Sequence, residues 1–303
     1  MKKKKEEAPK SAVLDFTPLS RLILAKEAKE EIISVLKQHD HSKQIFDDWG
    51  LGEVIEYGRG MTFLFYGPPG TGKTWGAHCI AKSLSKELLI VSSAEIQSSE
   101  PGQANRNIKQ AFSSAKSNKK ILFLDECDSL IASRMDVGMV LGSEINTLLT
   151  EIEKFEGVVI LATNRVEELD EALERRIALI IEFPEPNFEQ RKGIWEVMLP
   201  KKMPIESNVT PEKLAEHKLT GGQIKNVVLQ AARLALASDS KKVGLKHFES
   251  AIARVHQSKS LLGTASRYRH FAMKESFEHG TRVGGQVKHR STDLVIKEKN
   301  EQD

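Results

Sequence analysis

The sequence predicts an α/β fold: a five-stranded parallel sheet flanked by helices, followed by a smaller all-helical domain. Three observations carry this. Five short apolar runs alternate with amphipathic helical patterns through the first two thirds of the chain. The runs lack in-out alternation, as strands buried on both faces do. After Pro184-Glu185-Pro186 the strand signal stops and only helical periodicity follows.

Taken in order, residues 1–19 are lysine-rich and then mixed, with Pro9 and Pro18, and read as a flexible basic arm. Residues 22–38 place Leu22, Ala25, Ile32, Ile33 and Leu36 among charges at helical spacing. The predicted strands are Thr62–Tyr66, Leu88–Ser92, Ile121–Asp125, Val158–Thr163 and Ala178–Phe183. Helices are predicted at Lys73–Leu84, Asn105–Lys116 and Ser143–Lys154, with a short one at Val166–Arg175. Such alternation makes a parallel sheet with helices on both faces. Residues 188–199, 210–217, 221–237 and 245–256 read as helices of the second domain. The domain boundaries follow: 1–19 arm, 20–187 α/β domain, 188–260 helical domain and 261–303 a polar, flexible tail.

Composition excludes several classes. Lys plus Arg is 45 and Asp plus Glu is 42, so a net charge of +3 is not that of a strongly basic nucleic-acid binder. Two cysteines, Cys79 and Cys127, are too few for a disulfide scaffold or a four-thiolate zinc site. No apolar run approaches the length of a membrane span. Lys2–Lys5 are followed by Glu6 and Glu7 where a signal peptide needs an apolar stretch, so the expected location is cytoplasmic.

The segment Gly67-Pro68-Pro69-Gly70-Thr71-Gly72-Lys73-Thr74 lies between a predicted strand and a predicted helix. Glycines at this spacing let successive backbone N–H groups turn toward one anion, and the helix N-terminus adds partial positive charge. Lys73 is expected to reach the β- and γ-phosphates of a nucleotide, and the Thr74 hydroxyl to ligate Mg²⁺. The strand ILFLD ends in Asp125-Glu126. In an open α/β sheet ligands bind beyond the carboxyl ends of the strands, so Asp125 is expected beside Thr74 at the Mg²⁺, with Glu126 orienting or deprotonating water. Asp128 reads as a helix cap rather than a third catalytic acid. Asn164 ends the strand Val158–Thr163, where its amide could bond a γ-phosphate or the attacking water.

In order, GPPGTGKT, ILFLDECDSL, ILATNR, LDEALERR and IEFPEP resemble the motif series of AAA ATPases over about residues 45–255. Asp48-Trp49-Gly50-Leu51-Gly52, the short loop before ILATN and Leu219-Thr-Gly-Gly-Gln-Ile224 are similar to a bacterial and phage branch that includes ATPases of contractile injection systems. The resemblance implies a P-loop NTPase domain with a helical lid, ATP as substrate, and a homo-oligomeric ring, usually a hexamer. The family's arginine fingers fall on Arg175 and Arg176, with Arg176 the better match. The further finger position is Leu179, which counts against a two-finger scheme. Where some branches place a lid arginine, this chain has Gly221-Gly222-Gln223. Those glycines either let the lid approach the adenine or ribose, or simply open a helix.

One departure bears on function. Aligning the family glycine with Gly102 puts the aromatic pair of threading enzymes on Glu100 and Pro101, and no aromatic lies nearby. Met135, Met139 and Val140 could face a pore or pack internally. Cys127 reads as a small buried group, and Trp49 as either an adenine neighbour or core. The nine histidines show no metal-ligand spacing.

The expected function is a ring ATPase that remodels or assembles a protein partner. The alternative is a nucleic-acid-linked ATPase, suggested by Lys2–Lys5 and by Arg267, Arg269, Arg282, Lys288 and Arg290. A third reading, a regulatory ring that hydrolyses little ATP, is opposed by the intact Glu126.

Overall fold

The computed structural model describes residues 14–42, 44–98, 100–131, 139–165 and 169–257. Lys2–Lys5, Met135 and the basic residues of the tail lie outside them, as do the side chains of Met139 and Val140. The described residues up to Ala251 make one compact unit, and Ile252 begins a second.

The five predicted strands are present as β1 (Met61–Tyr66), β2 (Leu88–Ser92), β3 (Ile121–Asp125), β4 (Val158–Thr163) and β5 (Leu179–Glu182). All pair in parallel, in the order β2-β3-β4-β1-β5. Register runs Leu88↔Ile121 and Leu122↔Val159 on one side, then Met61↔Val158 and Phe63↔Leu179 on the other. The chain steps from β1 out to the edge at β2, then returns through β3 to β4 beside β1. The carboxyl ends of β3, β4 and β1 consequently lie side by side, where an open α/β sheet binds ligands.

Side chains alternate across the sheet with period two. Leu64, Leu122, Leu124, Val159 and Leu161 face a core with Ile108, Phe112, Ile145 and Leu148. These last come from α5 (Gln103–Ser117) and α7 (Met139–Lys154). Phe63, Phe65, Phe123 and Ile160 face the other core with Ile32, Leu36 and Ile80. The two layers explain the unbroken apolar runs: every residue of β4 is buried. The edge strand β2 is not, and Ile90 there is 43% exposed.

Helix α3 (Lys73–Ser83) follows β1, and α2 (Lys26–Asp40) precedes it. A short helix α1 (Thr17–Ser20) comes earlier than expected. Leu19 and Leu22 are buried, and Leu14 and Phe16 pack against the same core. An arm free through residue 19 thus fails at 14–19, because these apolar groups cover the α2–α3 side of the sheet. Short turns also occur in the α/β part: α4 (Ser93–Ile96), α6 (Asp128–Ile131) and α8 (Glu171–Glu174), with a π-helical turn at Gln44–Asp48 and a 3-10 turn at Leu51–Glu53.

The helical region holds α9 (Phe188–Met198), α10 (Pro211–Ala215), α11 (Gly221–Ala237) and α12 (residues 245–257). Asn187 and Gln190, and Thr220 and Gln223, form reciprocal caps at the starts of α9 and α11. Trp195 packs edge-on against Phe248, their rings 6.0 Å apart. Arg191, nearly buried, donates to Ala215 O and Pro186 O, both at 2.8 Å, tying α9 to α10 and to the linker. A parallel bridge, Ile205 to Val243, is extended pairing that the helical periodicity did not signal.

Candidate functional site

The loop from Gly67 to Gly72 joins β1 to α3 and turns through left-handed backbone at Gly67, Gly70 and Gly72 (φ +135°, +78° and +114°). Gly67 is needed twice over: a Cβ there would also lie 2.2 Å from Phe183 O. Lys73 opens α3 and is 8% exposed. Its Nζ donates to Gly67 O (2.6 Å), Pro68 O (3.1 Å) and Asn164 Oδ1 (2.9 Å). Burial lowers the Lys73 pKa, while Asp125, Asp128 and Glu126 pull it back up.

Thr74 Oγ1 donates to Asp125 Oδ2 at 3.2 Å, so the helix start and the end of β3 meet. Two hard oxygen donors at this spacing, beside a loop built for phosphate, fit a Mg²⁺ that takes its other ligands from phosphate and water. Among the described residues no group of three or more His, Cys, Asp or Glu could hold a metal ion, and a Mg²⁺ shared with phosphates does not require one.

Glu126 is exposed and has left-handed backbone, φ +56°, with its N–H on Asp125 Oδ1 at 3.0 Å. A β-carbon in that conformation costs ~1 kcal/mol. Cys127 is fully buried, its thiol pushed up to about 12 chiefly by burial, and it donates from Sγ to Leu124 O. It is a packing group, as read from the sequence. Cys79 is buried likewise, its thiol raised to about 11.

A cavity of about 470 Å³ contains Lys73, Thr74, Asp125, Glu126 and Asn164 in its wall, together with Pro69, Gly70, Thr71 and Gly72. Residues the sequence does not single out also line it, among them Ile23, Trp75, His78, Ile194 and Met198. Helical spacing from Thr74 could have found His78, four residues on, and Trp75 lies three residues before His78 on the same face. Ile23 and the α9 residues come from distant segments and carried no local signal. Trp49 is 66% exposed and is absent from this wall, so it is neither core nor a neighbour of the cavity.

Gly221 and Gly222 line the cavity too, but they approach the phosphate loop itself. Gly222 N–H donates to Gly70 O at 2.8 Å. A Cβ on Gly222 would sit 3.4 Å from Gly70 Cα, and one on Gly70 would sit 2.9 Å from Thr220 Oγ1. Gly70 is therefore the position that must stay small for the start of α11 to rest on the loop, whereas a Cβ on Gly221 or Gly222 would make ordinary contact with it.

The structure does not bring Arg175 or Arg176 to the cavity. Arg175 is exposed at the end of α8. Arg176 pairs through Nη2 with Glu153 of α7 and donates from Nη1 to Ala172 O, while its Nε is buried with no partner. Glu100 and Pro101 are exposed ahead of Gly102, whose left-handed backbone (φ +74°) precedes α5.

Residues 63–185 match the family described as ATPase family associated with various cellular activities (AAA). This stretch is an AAA domain. The chain is also 34% identical over 244 residues to a proteasome-activating nucleotidase of Saccharolobus islandicus, strain Y.N.15.51 / Yellowstone #2, covering 76% of this chain and 59% of that protein. The proteasome-activating nucleotidase of Saccharolobus solfataricus is likewise 34% identical over 244 residues, with 76% and 60% covered. The chain thus spans about three fifths of the length of these relatives. The matched stretch contains the whole phosphate loop, the Asp125-Glu126 pair, Asn164 and the Arg175-Arg176 pair. No helix among the described residues is long and apolar enough to cross a membrane.

Proposed function

We propose that this protein is an ATP hydrolase that works as a homo-oligomeric ring in the cytoplasm and couples hydrolysis to remodelling or assembly of a protein partner. One observation carries the reading: Lys73, Thr74, Asp125, Glu126 and Asn164, drawn from three strand ends, line a single cavity. The phosphate loop binds the triphosphate through its N–H groups and Lys73. Thr74 and Asp125 would hold Mg²⁺, which neutralises phosphate charge. Glu126 accepts the proton of the attacking water, and Asn164 orients that water or the γ-phosphate. Arg176, in the motif position of the family finger, acts on the site of a neighbouring subunit, for which it must leave Glu153.

The protein-remodelling part rests on similarity to the proteasome-activating nucleotidases. Glu100 and Pro101 offer little apolar grip on a threaded chain, which favours assembly or local remodelling over processive threading. Placement in the bacterial and phage branch rests on the Asp48–Gly52 and Leu219–Ile224 motifs.

The test is Mg²⁺-dependent ATPase activity of the full chain beside Glu126→Gln. The variant should bind ATP as the wild type does and hydrolyse it very slowly, because water activation is lost while the phosphate and metal groups remain. Wild-type turnover in Glu126→Gln would refute the assignment. Partners trapped on Glu126→Gln with ATP should be proteins. Salt-sensitive stimulation of hydrolysis by DNA, with no protein trapped, would replace the partner reading with the nucleic-acid-linked one.

A further inference from the structure

Asp128 is the carboxylate near the cavity that the mechanism above leaves without a role. It opens α6, yet its Oδ1 reaches across to the next strand. It accepts a hydrogen bond from the hydroxyl of Thr163, which is fully buried, and from the Asn164 N–H at 2.8 Å. Regular pairing of β3 with β4 runs to Leu124↔Leu161. Beyond it, Cys127 N–H donates to Ala162 O at 2.9 Å, and Asp128 takes the following two residues. Three successive residues at the end of β4 are thus held by the turn that follows β3. The Thr163 hydroxyl in turn accepts the Arg165 N–H at 3.0 Å, fixing the chain beyond Asn164.

Asn164 has its backbone on Asp128 and its side chain on Lys73. Its side chain is otherwise exposed at a strand end, where nothing local would fix its direction. Hydrogen bonds to an ionised carboxylate are roughly twice as strong as neutral ones. A reacting geometry must be held within ~0.5 Å by such supports.

We propose that Asp128 is a positioning residue: it anchors the Thr163–Asn164 backbone so that the Asn164 amide is held on Lys73 at the phosphate site. The proposal rests on the reading of Asn164 as part of the ATP site, and the experiment separates the two.

Steady-state ATPase kinetics and thermal melting of the full chain are measured for Asn164→Ala, Asp128→Ala, Asp128→Asn and the double variant Asp128→Ala/Asn164→Ala. Asn164→Ala and Asp128→Ala should each lower kcat by ~10-fold or more, with KM for ATP within ~3-fold, as expected for an interaction made in the transition state. Asp128→Asn should stay within ~3-fold of wild type, since an amide oxygen still accepts both bonds. The double variant should be no slower than Asn164→Ala, because Asp128 acts through Asn164 and the effects do not add. Unchanged kcat in Asp128→Ala, or multiplied losses in the double variant, would overturn the proposal. Wild-type kcat in Asn164→Ala would instead overturn the reading of Asn164. If Asp128→Ala does not fold, Thr163→Val removes only the hydroxyl. It should lower kcat in the wild-type background and not in Asn164→Ala; no loss, or the same loss in both, overturns the proposal.

Discussion

Replacing Lys73 with Met removes one charge while keeping most of the side-chain length, and two effects can be separated. Without nucleotide, Lys73 Nζ is held by Gly67 O, Pro68 O and Asn164 Oδ1 at 2.6, 3.1 and 2.9 Å. Hydrogen bonds from a charged donor are each worth ~1.5–3 kcal/mol. Against that, burial already disfavours the charge, as the lowered pKa shows. The acceptors left behind border the cavity, where water can replace the ammonium. The net loss of ligand-free stability should therefore be small, ~1–2 kcal/mol. With a triphosphate bound, the lost term is a full ion pair. At ~4 Å and an effective dielectric constant of ~20 it is ~4 kcal/mol, or about three orders of magnitude in affinity. Urea titration of the ligand-free variant and calorimetric titration with Mg-ATP measure the two terms independently. An affinity within threefold of wild type would refute the role given to Lys73. A collapse of ligand-free stability would show that the side chain is chiefly structural.

The same side chain predicts a pH effect. Burial holds its pKa below 10.5 without ligand, and phosphate charge raises it again, so ATP binding takes up a proton once the pH exceeds the ligand-free pKa. Affinity should fall as pH rises through that value and stay flat below it, and a flat profile up to 10.5 would contradict the assignment. Glu126→Gly relieves left-handed backbone at φ +56°. It should raise stability to urea by up to ~1 kcal/mol while hydrolysis is lost, and a clear destabilisation would show that the carboxylate has a structural partner. Arg176→Ala should keep ATP binding and lose hydrolysis, and mixing it with Glu126→Gln subunits should recover some turnover. Turnover per subunit that is constant on dilution, with only monomers sedimenting, would sink the trans mechanism.

Most of the sheet was legible before any coordinates because its signals are local. Leu88–Ser92, Ile121–Asp125 and Val158–Thr163 coincide with the strands found, since each is a short apolar run closed by polar residues. Residues 221–237 match α11 for the same reason: Thr220 caps it and an apolar face repeats at helical spacing. The phosphate loop is legible because left-handed turns demand glycine at positions fixed within eight residues. Residues 14–19 carry no such signal, because Leu14, Phe16 and Leu19 beside Pro18 are too short a run to make a periodic pattern, although they pack on the core.

The sequence by itself determined which residues carry phosphate, metal and water chemistry, because each motif folds from its own neighbours. Tertiary structure alone decided how they meet. Asn164 reaches Lys73 across 91 residues only because β4 lies between β3 and β1, and no periodicity encodes strand order. Arg176 is held by Glu153 of α7, 23 residues back, a pairing no local pattern encodes. Gly222 donates to Gly70 because the helical region folds onto the loop, where a Cβ on Gly70 would meet Thr220. Asp128, a helix opener by sequence, bonds to β4 because the turn after β3 carries it past the last paired residue. Local preference acts over a few residues, whereas these contacts follow from the burial of two apolar faces, which fixes where distant polar groups come to rest.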